Sequence, residues 1–484
     1  MTDSKLIDAL RQLNTRERTQ FRELVYSPFF NKNRKIRRLV DYVLQYAPGF
    51  EDPALVKEKV FPAVFGPGDA YNELRLNNVI SDTLKLLYEF LAQQALSQEE
   101  PIKRAYLMKA FLQRRMERHI PQNARRYRQL LDKKEGRSHQ YYHHRQLLAS
   151  QLDRHALLHQ ERGYSEYLQE MNNNLDRYYF CHKLRTACDM ASRNKAINAG
   201  YECHFIDTLL DTFENAPDWL HREPALQAYH QTLLMLRGEE EHHYREVRRV
   251  LYHNPNVFPR EELNDLYDYV QNFCVKKINS GQTHFYEQVL GLYKEMLSRG
   301  LLLRNGYLTQ WTYINIVTTG IRLQDFEWTE QFIHTYKEHL APEVRENVYT
   351  YNLAALEFER KNYHQALQSL QGVEFSDAFY HMAAKIIQLK SYYELEETEP
   401  FFSLLEASRK YIRRNRQLSD YQKQSNSGFL KIAGKLKNLR LQIGITGSRQ
   451  LRQALRLLQQ ELNQPGAIAN KGWLRQKVRE LEKV

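Results

Sequence analysis

Cys181-His182, Cys188 and Cys203-His204 group the soft metal-binding side chains of this sequence most densely. Cys181 and Cys188 lie seven residues apart, and so on one face of a helix, while Cys203 could come from a facing helix. Thiolate and imidazole ligands in that arrangement can hold zinc. Structural zinc sites favour short Cys-x-x-Cys knuckles, however, and a reduced cysteine is commonly a small buried apolar residue. The expectation is therefore no metal and no cofactor. His143-His144 and His242-His243 point to different sides of their helices and read as surface residues.

Other catalytic patterns fail on spacing. Gly428 to Gly434 followed by Lys435 echoes a phosphate-binding loop, but five residues intervene where four are needed, and Leu436 stands where Ser or Thr must reach the metal. His221-Arg222-Glu223 lacks the Pro-Cys-x-x-Cys partner of zinc deaminases. Neither a His-Glu-x-x-His pair nor a Gly-x-Ser-x-Gly elbow occurs. The chain reads as non-enzymatic.

The basic residues offer a different chemistry. The net charge is +12, which permits contact with nucleic acid, anionic membrane surfaces or acidic proteins. Clustered, uncompensated cations occur in two places: Arg125, Arg126 and Arg128, and Arg413, Arg414 and Arg416. Arg and Lys interleaved with Tyr, as around Tyr141-Tyr142-His143-His144-Arg145, could neutralise phosphates and stack bases. In an amphipathic helix those Tyr positions are equally core positions.

What must position such residues is helical. Of 484 residues only 19 are Gly and 14 Pro, which favours helices over sheets. Hydrophobic residues make up 42% and charged residues 26%, the balance of a folded chain. Four cysteines in this length argue against a disulfide framework, no segment approaches a membrane span, and the start carries no signal-peptide pattern, so the expected location is cytoplasmic.

Residues 1–100 are expected to form a helical cap. Asn14-Thr15-Arg16-Glu17 fits a capping box, and the helix it opens should end near Ser27-Pro28. Phe29 and Phe30 are expected to be buried, Asn31 to open the next helix, and the stretch from Pro48 to Gly68 to be a loop. A long helix should run from Asn72 to Leu96 along Leu76, Val79, Ile80, Leu84, Leu87, Phe90 and Leu91. Residues 101–225 should form long basic helical hairpins broken at Gly136, Gly163 and Gly200. Residues 226–408 should be repeats, and 409–484 basic C-terminal helices, the last of which docks through Trp473, Val478 and Leu481.

The repeats rest on an aromatic landmark. Tyr244, Phe285, Phe326, Tyr363 and Phe401 follow one another at 37–41 residues, the period of stacked helix pairs. Apolar residues recur ten before (Leu234, Val275, Ile316, Leu353), fifteen before (Tyr229, Val270, Trp311, Val348) and seven after (Leu251, Leu292, Ile333, Leu370) the first four landmarks. Such units cannot bury their apolar face alone, so neighbours must stack into a superhelix with a groove.

The unit Thr350 to Leu370 resembles a tetratricopeptide repeat. Leu353-Ala354 matches that family's Leu-Gly pair, Asn362-Tyr363 its turn, and Ala366 its small residue at the helix crossing. The neighbouring unit from Gln310 to Pro342 is similar, while the others carry Val247, Gln288, Thr329 and Leu404 at the Ala366 position. Over its whole length the chain also resembles a group of bacterial helical proteins that share Ser27 to Asn31 and Tyr392 to Leu395; that resemblance implies no activity.

The expected fold is all-α: a tetratricopeptide-like solenoid of helical hairpins with an N-terminal helical cap. Asn315 and Asn352 both lie eleven residues before their landmarks. The repeat resemblance implies that this position faces the concave side, where Asn contacts the backbone of an extended peptide; an amide donates and accepts at once. Tyr313, Tyr349, Arg322 and Lys276 are expected nearby. The expected function is a non-catalytic cytoplasmic adaptor or scaffold for a protein or peptide partner. The alternative is an RNA- or DNA-binding helical-repeat protein using the basic helices. No membrane insertion is expected.

Overall fold

The computed structural model describes residues 1–133, 136–158, 163–197, 199–216, 218–371, 377–443, 445, 448–464 and 466–483. It is all-helical, with no β-strand among the described residues. The chain divides into two compact units. One comprises Met1–Met190, Gly200–His230 and Tyr252–Pro259; the other Ala191–Ala199, Gln231–Leu251 and Arg260–Val484.

The N-terminal unit begins as its sequence dictates. Asn14 closes a full capping box with Glu17, and the helix Thr15–Tyr26 stops at Ser27. Asn72 caps the helix Glu73–Gln98, whose Leu76, Val79, Leu87 and Phe90 join Phe21, Leu39 and Phe61 in one core. Three local expectations are corrected. Phe29 is 87% exposed and Phe30 half-buried, because the turn after Ser27 directs them away from that core. Asn33, not Asn31, caps the helix Arg34–Leu44. Asn31 is buried instead, donating to the Val25 carbonyl at 2.9 Å and accepting from the Asn33 N–H at 2.8 Å. The stretch after Pro53 contains a helix, Lys57–Phe65, with Pro62 inside it. A proline there forgoes one backbone bond, and burial of Val60, Phe61 and Val64 outweighs it.

Further along this unit the helices lengthen. Glu100–Gln113, Ile120–Lys133 and His139–Leu158 share a second core around Met108, Tyr127, Leu131 and Leu148. The helix Glu166–Ile197 runs for 32 residues. Gly136, Gly163 and Gly200 all have positive φ at the breaks.

Each landmark aromatic opens, or lies in the first turn of, the second helix of a pair. The pairs are Pro224–Gly238 with Glu241–His253, Arg260–Asn279 with Phe285–Ser298, Gln310–Arg322 with Phe326–Thr335, Arg345–Glu359 with Tyr363–Ser369, and Ala378–Glu394 with Thr398–Arg414. Four of the five turns share one geometry. A left-handed residue ends the first helix: Gly281, Gln324, Lys361 or Glu396. The next N–H then reaches back five residues: Gln282 to the Lys277 carbonyl, Asp325 to Gly320, Asn362 to Glu357 and Glu397 to Tyr392, at 2.9–3.0 Å. This is the Schellman closure of a helix end.

Burial within the frame is uneven. Leu251, Leu292, Ile333 and Leu370 are all buried. Tyr229, Val270 and Val348 are buried, whereas Trp311 in the same register is 53% exposed. Tyr244, Phe285 and Phe401 are buried, while Phe326 and Tyr363 are half-buried. Thr329 and Ala366 are both fully buried where their helix meets its partner. A Cβ on Gly320 would collide with the Thr329 hydroxyl, so this crossing requires glycine.

Three helices follow: Asp420–Leu441, Ser448–Asn463 and Lys471–Glu482. Leu474, Val478 and Leu481 of the last helix are buried with Phe401, Phe429 and Tyr393. Among the described residues no helix is long and apolar enough to cross a membrane.

Candidate functional site

The C-terminal unit holds an apolar cleft of about 280 Å³. The helix Ala378–Glu394 supplies one side with Phe379, Met382, Ala383, Ile386 and Ile387. Their spacing places them on one helix face. Asp377 fixes where that helix starts, accepting from the Phe379 and Tyr380 N–H groups at 2.7 and 3.2 Å. Tyr351 enters from Arg345–Glu359, and Tyr421, Gln422, Ser425 and Asn426 from Asp420–Leu441. A capping box between Ser419 and Gln422 starts the latter helix. The preceding turn is held by Asn415, whose side-chain oxygen accepts from the Gln417 and Leu418 N–H groups. Leu418, Ala469 and Asn470 complete the lining.

Outside the cleft, Trp311 of Gln310–Arg322 meets Phe379 with ring centroids 5.5 Å apart. Exposed Trp311 and 69%-exposed Tyr421 thus extend an aromatic surface beyond the cleft. Asn426 and Asn470 make no side-chain hydrogen bond among the described residues, which leaves two amides at an apolar wall. Tyrosines are the only titratable side chains among the described lining residues, and burial pushes the Tyr351 hydroxyl pKa upward. Such a site can hold an apolar side chain and bond a peptide backbone; it offers no acid–base pair or activated nucleophile.

None of the residues singled out in the sequence lines this cleft. Asn315 is exposed on Gln310–Arg322, whereas Asn352 is 1% exposed and donates its amide to the Val348 carbonyl at 2.7 Å. That burial withdraws Asn352 from any ligand and corrects the expected pairing. Tyr313 is likewise buried, its hydroxyl tied to the Ile333 carbonyl at 2.7 Å. Tyr349 meets His334 Nδ1 at 3.1 Å, and the Lys337 ammonium lies 4.2 Å from its ring centroid. Arg322 is exposed. Lys276 pairs with Glu239, which also takes Lys195 at 2.6 Å; these hydrogen bonds hold the Glu239 carboxyl at about 2.

Arg125, Arg126 and Arg128 are exposed on Ile120–Lys133 of the N-terminal unit. Arg413, Arg414 and Arg416 are exposed in the C-terminal unit, at the end of Thr398–Arg414 and in the turn after it. Four further cations that follow in the sequence are compensated or buried. Lys431 and Lys435 share Glu461, Arg440 pairs with Glu396, and Lys437 is 1% exposed beneath the rings of Tyr393 and Phe401.

The cysteine cluster does not assemble ligands. Cys188 is buried and donates its thiol to the Tyr229 carbonyl at 3.4 Å, and burial pushes its pKa well up. Among the described residues no three His, Cys, Asp or Glu side chains gather to hold a metal ion. Gly428 and Gly434 both lie inside the helix Asp420–Leu441, so the phosphate-loop echo is a helix face.

The cleft was missed because its walls come from four separate chain segments. The one available signal was the apolar face Phe379-Met382-Ala383-Ile386. No protein-family model, curated protein or solved structure matches the chain. What the fold and the cleft define is an all-helical protein with an apolar, amide-edged cleft.

Proposed function

We propose that the chain is a non-catalytic adaptor, cytoplasmic in location, that holds an extended peptide segment of a protein partner in the concave face of a tetratricopeptide-like solenoid. The carrying observation is the cleft lining, in which aromatic and aliphatic anchors and free amides occur without catalytic groups. Hairpin stacking is supported by the shared turn geometry and by packing between first helices. Gln310–Arg322 contacts Arg345–Glu359, which contacts Ala378–Glu394. Affinity would come from anchors seated at Phe379, Met382 and Ile386, with Asn426 and Asn470 fixing the peptide backbone.

The test is selection of peptides from a random displayed library on the full chain, followed by affinity measurement. Phe379→Ala and Tyr421→Ala remove half-buried or exposed rings and should weaken a selected peptide by about tenfold or more. Equal affinity in both variants, or no selected peptide, rejects the reading.

Nucleic-acid binding is the second reading. It is favoured by Arg413, Arg414 and Arg416, all exposed and five to eight residues before the exposed ring of Tyr421. It requires single-strand affinity that falls steeply with salt and is lost on changing the three arginines to Glu.

A further inference from the structure

One wall of the cleft belongs to the segment leading into the last helix. Ala469 and Asn470 line the cleft, and the Ala469 N–H donates to the carbonyl of Ser425, itself a lining residue, at 3.0 Å. The approach is close. A Cβ on Gly428 would sit 3.2 Å from Ile468 Cγ1 and 3.3 Å from the Ala467 carbonyl oxygen. Asn470 then turns through a left-handed conformation into Lys471–Glu482.

That helix is anchored on the same element that supplies Phe379, Met382 and Ile386. Trp473 Nε1 donates to a Glu394 carboxylate oxygen at 2.9 Å. Lys477 Nζ reaches Glu394 at 2.7 Å and Glu480 at 2.8 Å. The Trp473 ring packs on Tyr393 at 5.2 Å and Phe429 at 6.0 Å. The Lys477 and Glu394 side chains are only 7% and 12% exposed; removing Glu394 leaves Lys477 with Glu480 alone, and removing Lys477 leaves the Glu394 carboxylate with the Trp473 N–H alone. Glu394 lies seven residues, two helical turns, beyond Ile387.

We infer that the helix Lys471–Glu482 is a latch whose docking on Glu394 builds one wall of the cleft. Docking and cleft occupancy are thereby coupled, each strengthening the other by the same factor. The coupling rests on the peptide reading of the cleft; the construction of the wall does not.

The experiment is hydrogen exchange on the full chain, read in peptides spanning 466–470 and 471–482, together with the affinity of a library-selected peptide. In Glu394→Gln and Trp473→Phe both segments should lose protection together, and the peptide should bind about tenfold more weakly. Bound peptide should slow exchange at 471–482 in the unmodified chain. Gly428→Ala is the complementary variant: it displaces the wall while sparing every latch contact, and should weaken the peptide with 471–482 still protected. Retained protection at 466–470 after 471–482 is released overturns the latch, as does unchanged peptide affinity in all three variants. If no peptide binds the unmodified chain, the peptide reading and the coupling both fall, and the exchange data alone decide whether the helix holds the wall.

Discussion

Two neighbouring hairpins, Gln310–Thr335 and Arg345–Ser369, share a frame and a turn yet use one position in opposite ways. Both close through a left-handed residue, Gln324 or Lys361, with the next N–H bonded five residues back. Eleven residues before the landmark each carries an asparagine. Asn315 is exposed; Asn352 is buried and bonded within its own helix. Six before the landmark, Gly320 admits Thr329, while Glu357 is buried and receives Arg360 and Asn362 at 3.2 and 2.8 Å. The repeated backbone is thus filled by different side-chain solutions, and equal register does not mean equal surroundings.

The largest expected difference between the hairpins is electrostatic. The Lys390 ammonium is buried 3.9 Å from the Phe358 ring centroid, in the second hairpin; the first has Ile321 at the matching position. Burial lowers the Lys390 pKa from 10.5 to about 8, with Arg322 and Lys477 acting in the same direction and Glu359 and Glu394 opposing. The unfolded chain therefore holds more protons on this lysine between these values, and its contribution to stability should rise with pH across about 8 to 10.5. Denaturant titrations at pH 7 and 11 should show about 3 kcal/mol less of this rise in Lys390→Met than in the unmodified chain. The variant should also be the more stable of the two at pH 7. An identical pH profile would remove the contrast.

Steric differences come next. Gly320→Ala should destabilise by about 1–3 kcal/mol, because its methyl meets Thr329, and Thr329→Ala in the same chain should restore part of the loss. Asn352→Ala should cost about 1–3 kcal/mol in the same assay, through a lost buried hydrogen bond and an unfilled space. Asn315→Ala, which gives up only the side-chain hydrogen bond to the Tyr293 hydroxyl, should cost less, about 1 kcal/mol or below. Equal costs at the two asparagines would restore the symmetry that the register suggests. Gln324→Gly and Lys361→Gly test what the hairpins share: each should stabilise by up to about 1 kcal/mol, since glycine adopts positive φ without a Cβ clash.

These contrasts explain what was legible in the sequence. Local backbone chemistry was: the Asn14 capping box, the Asn72 start and the glycine breaks each depend on residues within one turn of one another. The helix pairs were legible through the spacing of the aromatic landmarks, each in the first turn of a second helix. The turn behind them was not, because only one of its four left-handed positions is glycine; Gln324, Lys361 and Glu396 give no signal. The helix around Pro62 was hidden because tertiary burial, not propensity, sustains it. At the site, the identity of Asn315 and Asn352 was clear while their burial depended on neighbours distant in the chain. The cleft draws Tyr351, Phe379, Leu418, Tyr421 and Ala469 from segments that no local pattern joins.

The indole at position 473 also equips the chain with an optical probe of its own. The chain has four tryptophans, at 219, 311, 328 and 473. The first belongs to the N-terminal unit and the other three to the C-terminal unit. Replacing Trp311 and Trp328 with Phe would leave one emitter in each unit. The ring at 473 sits among Tyr393 and Phe429 with its N–H held by a carboxylate. Its fluorescence would redden on entering water, so release of the terminal helix could be followed in real time without a dye.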